Sequence, residues 1–190
     1  MNPTVKACVH TAFLASTLLT ANAMAGQQGA FFGGGFNFAN IKTENIGEYS
    51  LNAIDIAGGF MLNEFFGLEA RLGTGVSSDS KNVNPGTILL NYEVKTKITN
   101  YWGLFVRPQF QAEHFQGYLL LGYGGADVNM SSPDLPEEFQ LNGSDSGASW
   151  GAGAGFSPDG NLFFNVEFMN YIDSKDYEFT GINLRAEFKI

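Results

Sequence analysis

Thiol chemistry has almost no material in this chain. Its 190 residues contain one cysteine, Cys8, and two histidines, His10 and His114. A sequence without paired cysteines builds no disulfide framework, and one without clustered imidazoles and thiolates offers no zinc site. Charge is scarce as well. Asp, Glu, Lys and Arg make up only 15% of the residues, and the basic ones are outnumbered 10 to 19, for a formal charge of −9. That balance argues against a nucleic-acid partner, whose phosphates demand a basic patch. No apolar run reaches the roughly 20 residues that a membrane helix requires. The 24 glycines disfavour a helical bundle, since each costs about 1 kcal/mol in a helix interior. What the chain has in quantity is apolar and aromatic: 44% of it is hydrophobic, with 18 phenylalanines, too much for disorder. A single β-rich domain remains.

Residues 1–25 read as an export signal. Lys6 precedes the apolar run Ala12-Phe13-Leu14-Ala15-Ser16-Thr17-Leu18-Leu19, and Ala23-Met24-Ala25 is a small-x-small cleavage pattern. Cys8 lies ahead of the apolar run and has no lipobox before it, which disfavours lipid attachment. Cleavage after Ala25 leaves residues 26–190 as the folded domain, with no cysteine. Its charge becomes −10, because removing Lys6 leaves 9 basic residues against 19 acidic ones.

Along the remainder, apolar and polar residues alternate with the period of two expected of strands. Strands are predicted over about 30–41, 51–62, 66–77, 87–107, 117–128, 148–157, 162–172 and 178–190. Polar loops fall at 42–50, 78–86, 129–147 and 173–177, and tight turns at 63–65 and 158–161. The break at 108–116 is longer than a tight turn. Eight antiparallel strands joined alternately by long loops and short turns describe an up-and-down β-barrel.

Parity sharpens the reading. One face carries Ile54, Ile56 and Phe60, then Leu68, Leu72 and Val76, then Ile88 through Ile98 with Trp102, Leu104 and Val106, then Phe164, Val166 and Phe168, and last Ile182, Leu184, Phe188 and Ile190. The other carries eleven charges: Asp55, Glu69, Arg71, Glu93, Lys95, Lys97, Arg107, Glu167, Arg185, Glu187 and Lys189. Leu119, Leu120 and Leu121 in succession leave the facing of strand 117–128 open. The charged face is also rich in glycine, as at Gly73, Gly103, Gly153 and Gly181, which suits the crowded inside of a small barrel better than a watery surface. Its charges nearly balance, as enclosed charges must. The expectation is a transmembrane barrel with its apolar face against lipid. Asp55, Glu69, Arg71, Glu93, Arg107, Glu167, Arg185 and Glu187 would form an interior charge network that fills the lumen. Phe32, Phe60, Phe66, Trp102, Phe156, Phe164 and Phe188 would form an aromatic girdle at the short-turn end. A soluble exported barrel with the apolar face inward, holding a lipid as lipocalins do, is the alternative.

Phe66-Gly67-Leu68-Glu69-Ala70-Arg71-Leu72-Gly73-Thr74-Gly75 resembles a strand signature of the outer-membrane β-barrel domain family, the small porin-like proteins related to OmpA and OmpX. Leu104-Phe105-Val106-Arg107-Pro108, Tyr118-Leu119-Leu120-Leu121-Gly122-Tyr123-Gly124 and Gly151-Ala152-Gly153-Ala154-Gly155 resemble it too. The likeness covers residues 29 to 190. It implies a monomer in the outer membrane of a Gram-negative bacterium, without enzymatic activity or cofactor. The implied role is structural or one of surface interaction, with a narrow conductance at most. Membrane lipid, lipopolysaccharide and the outer-membrane assembly machinery are the implied partners. The last strand resembles the C-terminal sorting signal of such proteins, although Phe188 stands third from the end and Ile190 closes the chain.

Other candidate chemistry is thinner. Gly33-Gly34-Gly35 and the Gly151–Gly155 run look like phosphate-binding loops, but no helix follows to offer its N-terminal amides. His114 beside Glu113 suggests a Ser-His-acid hydrolase of the kind that modifies lipid A, a second alternative. The predicted turn 108–116 puts the pair at the periplasmic end, away from the outer leaflet. The loop at 127–146, with Asp127, Asp134, Glu137, Glu138 and Asp145, could engage a surface ligand, but it lacks calcium-ligand spacing. The strand ending at Arg107 is long enough to stand above the bilayer, where its edge could add a partner strand.

Overall fold

The computed structural model describes residues 29–43, 47–83, 92–131, 141–173 and 177–190. They form β1 (Ala30–Thr43), β2 (Gly47–Met61), β3 (Phe66–Gly75), β4 (Ser78–Val83), β5 (Tyr92–Gln111), β6 (Phe115–Ser131), β7 (Leu141–Phe156), β8 (Leu162–Asp173) and β9 (Tyr177–Lys189). Every neighbouring pair is antiparallel, β9 returns to pair with β1, and β3 pairs with β5. The sheet therefore closes on itself and has no free edge around the wall. β3 and β4 are two parts of one stave. Between them the Val76 and Ser77 amides leave the ladder and donate to the Asn52 carbonyl at 2.8 and 3.3 Å. Eight staves result, the all-β up-and-down barrel that the alternation predicts.

The strands are longer than the alternation alone suggests. β5 continues through Pro108 to Gln111, and residues 112–114 make a tight turn into β6, so the predicted break at 108–116 is mostly wall. Much of the predicted loops 42–50, 78–86 and 129–147 is strand as well. At 20, 17 and 16 residues, β5, β6 and β7 far exceed the 9–11 or so that a tilted strand needs to cross a bilayer.

Two of the tight turns are closed by side chains. Asn63 Oδ1 accepts from the amides of Phe65 and Phe66 at 2.8 and 2.9 Å. Asp159 Oδ1 accepts from the amides of Asn161 and Leu162 at 2.9 and 2.8 Å, and Gly160 takes the φ of 81° that the turn demands. The amides of Leu162 and then Asn161 hold the Asp159 carboxyl below its ordinary range, because hydrogen bonds to the ionised form favour it. A depressed folded-state value means that the carboxylate's contribution is present at neutral pH and disappears as pH falls through that value. The unfolding midpoint of Asp159→Ala should thus lie below that of the parent at pH 7. The two should converge only at a pH more acid than an ordinary aspartate requires. A gap that closes already near pH 4 would count against this.

Most of the wall alternates as expected. Ile56 and Leu104, 64% and 60% exposed, point outward, while Asp55, Glu69 and Arg107 point in and are buried. Leu120 is buried, with Leu119 and Leu121 outside, which settles the facing of that strand. Two bulges then shift the phase. The β5–β6 register steps from Ile98↔Val128 to Asn100↔Asp127, leaving Thr99 unmatched. The β8–β9 register steps from Asn170↔Thr180 to Ile172↔Phe179, leaving Tyr171 unmatched. Above the first bulge Thr96 and Ile98 are fully buried, while Glu93, Lys95 and Lys97 are exposed on the opposite face. This reverses the expectation that Ile98 faces lipid and that Glu93, Lys95 and Lys97 face the lumen, because one extra residue inverts a period-two pattern. Ile88 and Leu90 lie outside the described residues. Single cysteines at Lys97 and Ile98 should report the inversion. Position 97 should react with a membrane-impermeant maleimide in the folded barrel and position 98 should not; the reverse outcome would restore the straight alternation.

Candidate functional site

The lumen is filled by side chains in layers. Nearest the short turns, Lys189 Nζ donates to the side-chain oxygens of Gln111 and Gln116, the latter at 2.8 Å. Above it, Arg107 grips Glu187 with two parallel bonds of 2.7 and 3.1 Å and reaches Glu69 at 3.0 Å. Its guanidinium lies between the rings of Phe31 and Tyr118, 4.5 and 3.9 Å from their centroids. Arg71 binds Glu69 at 2.5 Å and forks onto Glu167 at 2.7 and 3.0 Å. The Tyr118 hydroxyl donates to the same Glu167. Arg185 reaches Asp55 at 2.8 Å and stands 3.5 and 3.6 Å from Glu167 and Glu69. Three guanidiniums face four carboxylates, and Lys189 below them brings the lumen to formal neutrality.

Seven of the eight residues predicted for the interior network thus meet: Asp55, Glu69, Arg71, Arg107, Glu167, Arg185 and Glu187. Glu93 does not; the bulge at Thr99 sends it to the outer surface. The predicted network also leaves out Asn37, Tyr101, Tyr171 and Asn183, which extend it upward, although parity puts Asn183 on the charged face. Asn183 Nδ2 and the Tyr101 hydroxyl both donate to Asp55, at 2.8 and 3.0 Å, and Asn37 Nδ2 reaches the Tyr171 hydroxyl at 3.1 Å. Over this layer sits an apolar stopper that the alternation does not foretell. Tyr171 stacks on Phe179 at 4.6 Å, and Ile41, Tyr49, Leu51, Ile98 and Val128 are buried around them. β8 helps to make it, for Met169, Asn170, Tyr171 and Ile172 are consecutively buried where its register with β9 shifts.

Glycine is what makes this filling possible. A Cβ on Gly73 would fall 2.2 Å from the Tyr101 ring, and one on Gly153 would fall 2.5 Å from the Tyr118 ring. Each ring takes up the space that a side chain at the glycine would need, as the crowded lumen of an eight-stave barrel requires.

Outside, aromatic residues occupy two levels. Phe32, Phe66, Phe156, Phe164 and Phe188 are exposed close to the short turns, with Phe60 half-buried among them. Phe32 packs on Phe188 at 5.7 Å, and Phe115 on Phe156 at 5.3 Å. Phe110 and Phe115 join this level because β5 and β6 reach further than the sequence suggested. Trp102 does not belong to it. It pairs across the sheet with Leu72 and Gly125 and packs on Tyr123 at 6.2 Å. With Trp150 on Phe168 at 5.6 Å and Phe36 on Phe38 at 5.0 Å, it marks a second level, four to eight residues further along the strands. At about 3.3 Å per residue and a tilt near 40°, the two levels are roughly 10–20 Å apart, within the apolar band of a transmembrane barrel, about 25 Å tall.

The remaining candidates do not converge. His114 sits in the tight turn with Nδ1 3.0 Å from the Ser157 carbonyl oxygen, so that nitrogen carries the proton; Glu113 is 3.9 Å from Nε2. The Ser157 hydroxyl donates instead to Asp159 at 3.1 Å. Asp127 and Asp145 lie on paired strands, with Asp127 opposite Ser144 and Asp145 opposite Ala126, so the ends of the predicted acidic loop are sheet. Asp134, Glu137 and Glu138 fall outside the described residues. Among the described residues no cluster of His, Cys, Asp and Glu could hold a metal, and no helix is long and apolar enough to cross a membrane.

The model of the outer membrane protein beta-barrel domain matches residues 11–189. The chain belongs to that family. Its fold is shared with Ail, the attachment invasion locus protein of Yersinia pestis, at a TM-score of 0.61 and 16% identity, over 87% of this chain and 100% of that one. Neisserial surface protein A gives 0.55 at 12% identity, over 85% and 97%. OprG of Pseudomonas aeruginosa gives 0.54 at 15%, over 85% and 96%. No curated protein matches this outer-membrane barrel by sequence. Membership and geometry together place it in the outer membrane of a Gram-negative bacterium. They overturn the soluble lipid-binding alternative, because the lumen is charged and filled while the apolar side chains point out. In such barrels the short turns face the periplasm and the longer connections the exterior.

Proposed function

We propose that this outer-membrane barrel is a sealed, monomeric and non-catalytic support that holds a sheet of strand extensions at the cell surface for contact with a partner. The observation that carries the reading is the lumen: forked Arg–carboxylate pairs fill its middle, and the Tyr171–Phe179 stopper closes the outer mouth. A filled lumen leaves the exterior as the working surface. There β7 pairs with β6 from Leu141 onward but with β8 only from Trp150. Its outer half thus offers backbone groups to an added strand. Ail of Yersinia pestis has been crystallised with sucrose octasulfate, a heparin analogue. On the present chain the extensions bear Asp127, Asp145, Asp173 and Glu178, which favour a cationic partner over a sulfated one. Catalysis by His114 is disfavoured by its periplasmic turn and by the ring proton already held by Ser157. We read residues 1–25 as the export signal, and the alternation ending in Phe188 and Ile190 as what the assembly machinery recognises.

In planar bilayers the refolded protein should produce no conductance steps above background; porin-sized steps would refute a sealed lumen. Replacing residues 127–144 with an Asn-Gly turn should leave a heat-modifiable barrel. It should abolish binding of expressing cells to those immobilised host-surface or serum proteins that the parent cells hold. Binding unchanged by the truncation would remove the surface-contact reading.

A further inference from the structure

We propose that the periplasmic mouth of the barrel binds a short zwitterionic peptide, carboxyl end first, in the vestibule beneath the charge network. About 760 Å³ of open space lies there, between the short turns and the base of the network. Among the described residues Lys189 is the only cation that lines it. Its ammonium gives two of its three N–H bonds to the carboxamide oxygens of Gln111 and Gln116, and stands 4.5 Å from the centroid of the Phe163 ring. All three contacts are to neutral groups, while Glu187, two residues earlier, is held through both oxygens by Arg107. The third N–H is left for an anion. Gln109, also in the lining, adds an acceptor. Its Oε1 is buried and has no hydrogen-bond partner among the described residues, a cost that an incoming N–H removes. The last residue of a peptide carries both groups, a carboxylate and an amide N–H, on one Cα.

Charge balance selects a zwitterion. Lys189 already neutralises the network above it, so a simple anion would leave the vestibule negative and be repelled by Glu64 and Glu113, both exposed in its lining. A ligand that brings its own ammonium adds no net charge and meets those two carboxylates. His114 Nε2 stands 3.9 Å from Glu113, beyond hydrogen-bond reach, so the Glu113 carboxylate stays open to an incoming cation. Glu113 lies two residues past Gln111, which at about 3.3 Å per residue sets the two roughly 7 Å apart. An extended peptide covers at most about 3.5 Å per residue, and two or three residues fit that span. Buried Met61 and exposed Phe65 give the space between the charges an apolar side. The Arg107–Glu187 pair closes the top, so the peptide is held there and not passed through. This site depends on the short turns facing the periplasm and not on the surface-partner reading.

The test titrates trialanine against the refolded protein in detergent micelles, followed by NMR line broadening of the peptide methyls. Trialaninamide, which lacks the carboxylate, should bind the parent roughly tenfold more weakly or worse, the scale of a charge-assisted hydrogen bond. Lys189→Gln should weaken trialanine to the same degree and remove the difference between the two peptides. N-acetyltrialanine, a stand-in for the end of a longer chain, should bind about threefold more weakly than trialanine, since the carboxylates it no longer meets are exposed. Glu64→Gln/Glu113→Gln should erase that gap. Equal binding of trialanine and its amide by the parent would overturn the proposal, whether or not Lys189→Gln folds. So would undiminished trialanine binding by a folded Lys189→Gln. Equal binding of the acetylated peptide would give the site to a protein's carboxyl terminus and overturn its assignment to a free peptide.

Discussion

Replacing Arg71 with leucine is expected to destabilise the barrel by about 3–5 kcal/mol, the cost of stripping one partner from a buried ion pair. Among the described residues Arg71 is the only cation that touches Glu167 through two hydrogen bonds, and its Nε holds Glu69 at 2.5 Å. Without it Glu69 keeps Arg107 at 3.0 Å, but buried Glu167 is left with Arg185 no closer than 3.5 Å. The loss should appear as a lowered midpoint in urea unfolding of the bilayer-refolded protein. Removing Glu167 as well, in Arg71→Leu/Glu167→Leu, should cost less than Arg71→Leu alone, because no uncompensated charge is left behind. A single variant within about 1 kcal/mol of the parent would show that water enters the lumen and that the network does not fill it.

Gly153→Val should be nearly as damaging through packing alone. The Tyr118 ring occupies the space where a Cβ would stand, at 2.5–2.7 Å. That ring cannot step aside freely: the Arg107 guanidinium lies over it, 3.9 Å from its centroid, and its hydroxyl is committed to Glu167. Overpacking typically costs about 1–3 kcal/mol, and losing a charge-assisted hydrogen bond adds roughly 1.5–3 kcal/mol. The total, roughly 2.5–6 kcal/mol, is enough to leave most of the protein unassembled in a heat-modifiability assay. Gly117→Ala provides the contrast, since nothing lies within 4 Å of the added carbon, and it should assemble as the parent does. Normal assembly of Gly153→Val would mean that Tyr118 has another place to go.

Period two makes most of the wall legible, because a closed barrel imposes one rule on every stave. Where that rule is broken by a single residue, sequence gives almost no warning. Thr99 and Asn100 are adjacent polar residues, and Tyr171 and Ile172 adjacent apolar ones; either pair is compatible with an ordinary strand end. Straight alternation through Thr99 puts Glu93 into the network and Ile98 onto lipid, both on the wrong side. The turn at 112–114 is hidden for a different reason. Gln109 and Gln116 look like loop residues but face the lumen, where polar side chains are the norm. That misplaced end draws Trp102 into the lower aromatic level. The upper network escapes notice because Asn37, Tyr101, Tyr171 and Asn183 carry no formal charge, and only the fold brings them around Asp55.

The seam between β1 and β9 has a temporal consequence. Phe31 is matched with Lys189, and the Ile190 amide donates to the Ala30 carbonyl at 2.9 Å, so the ring is joined by the two strands farthest apart along the polypeptide. No partial product of translation or export can complete the circle. Until β9 arrives, β1 keeps an open row of backbone groups, and one side of every stave is greasy. Contacts so distant in sequence form slowly, and exposed edges of this kind invite aggregation. Escort through the aqueous compartment and a surface that supplies a temporary edge are therefore conditions for making this molecule at all, whatever it later does at the cell surface.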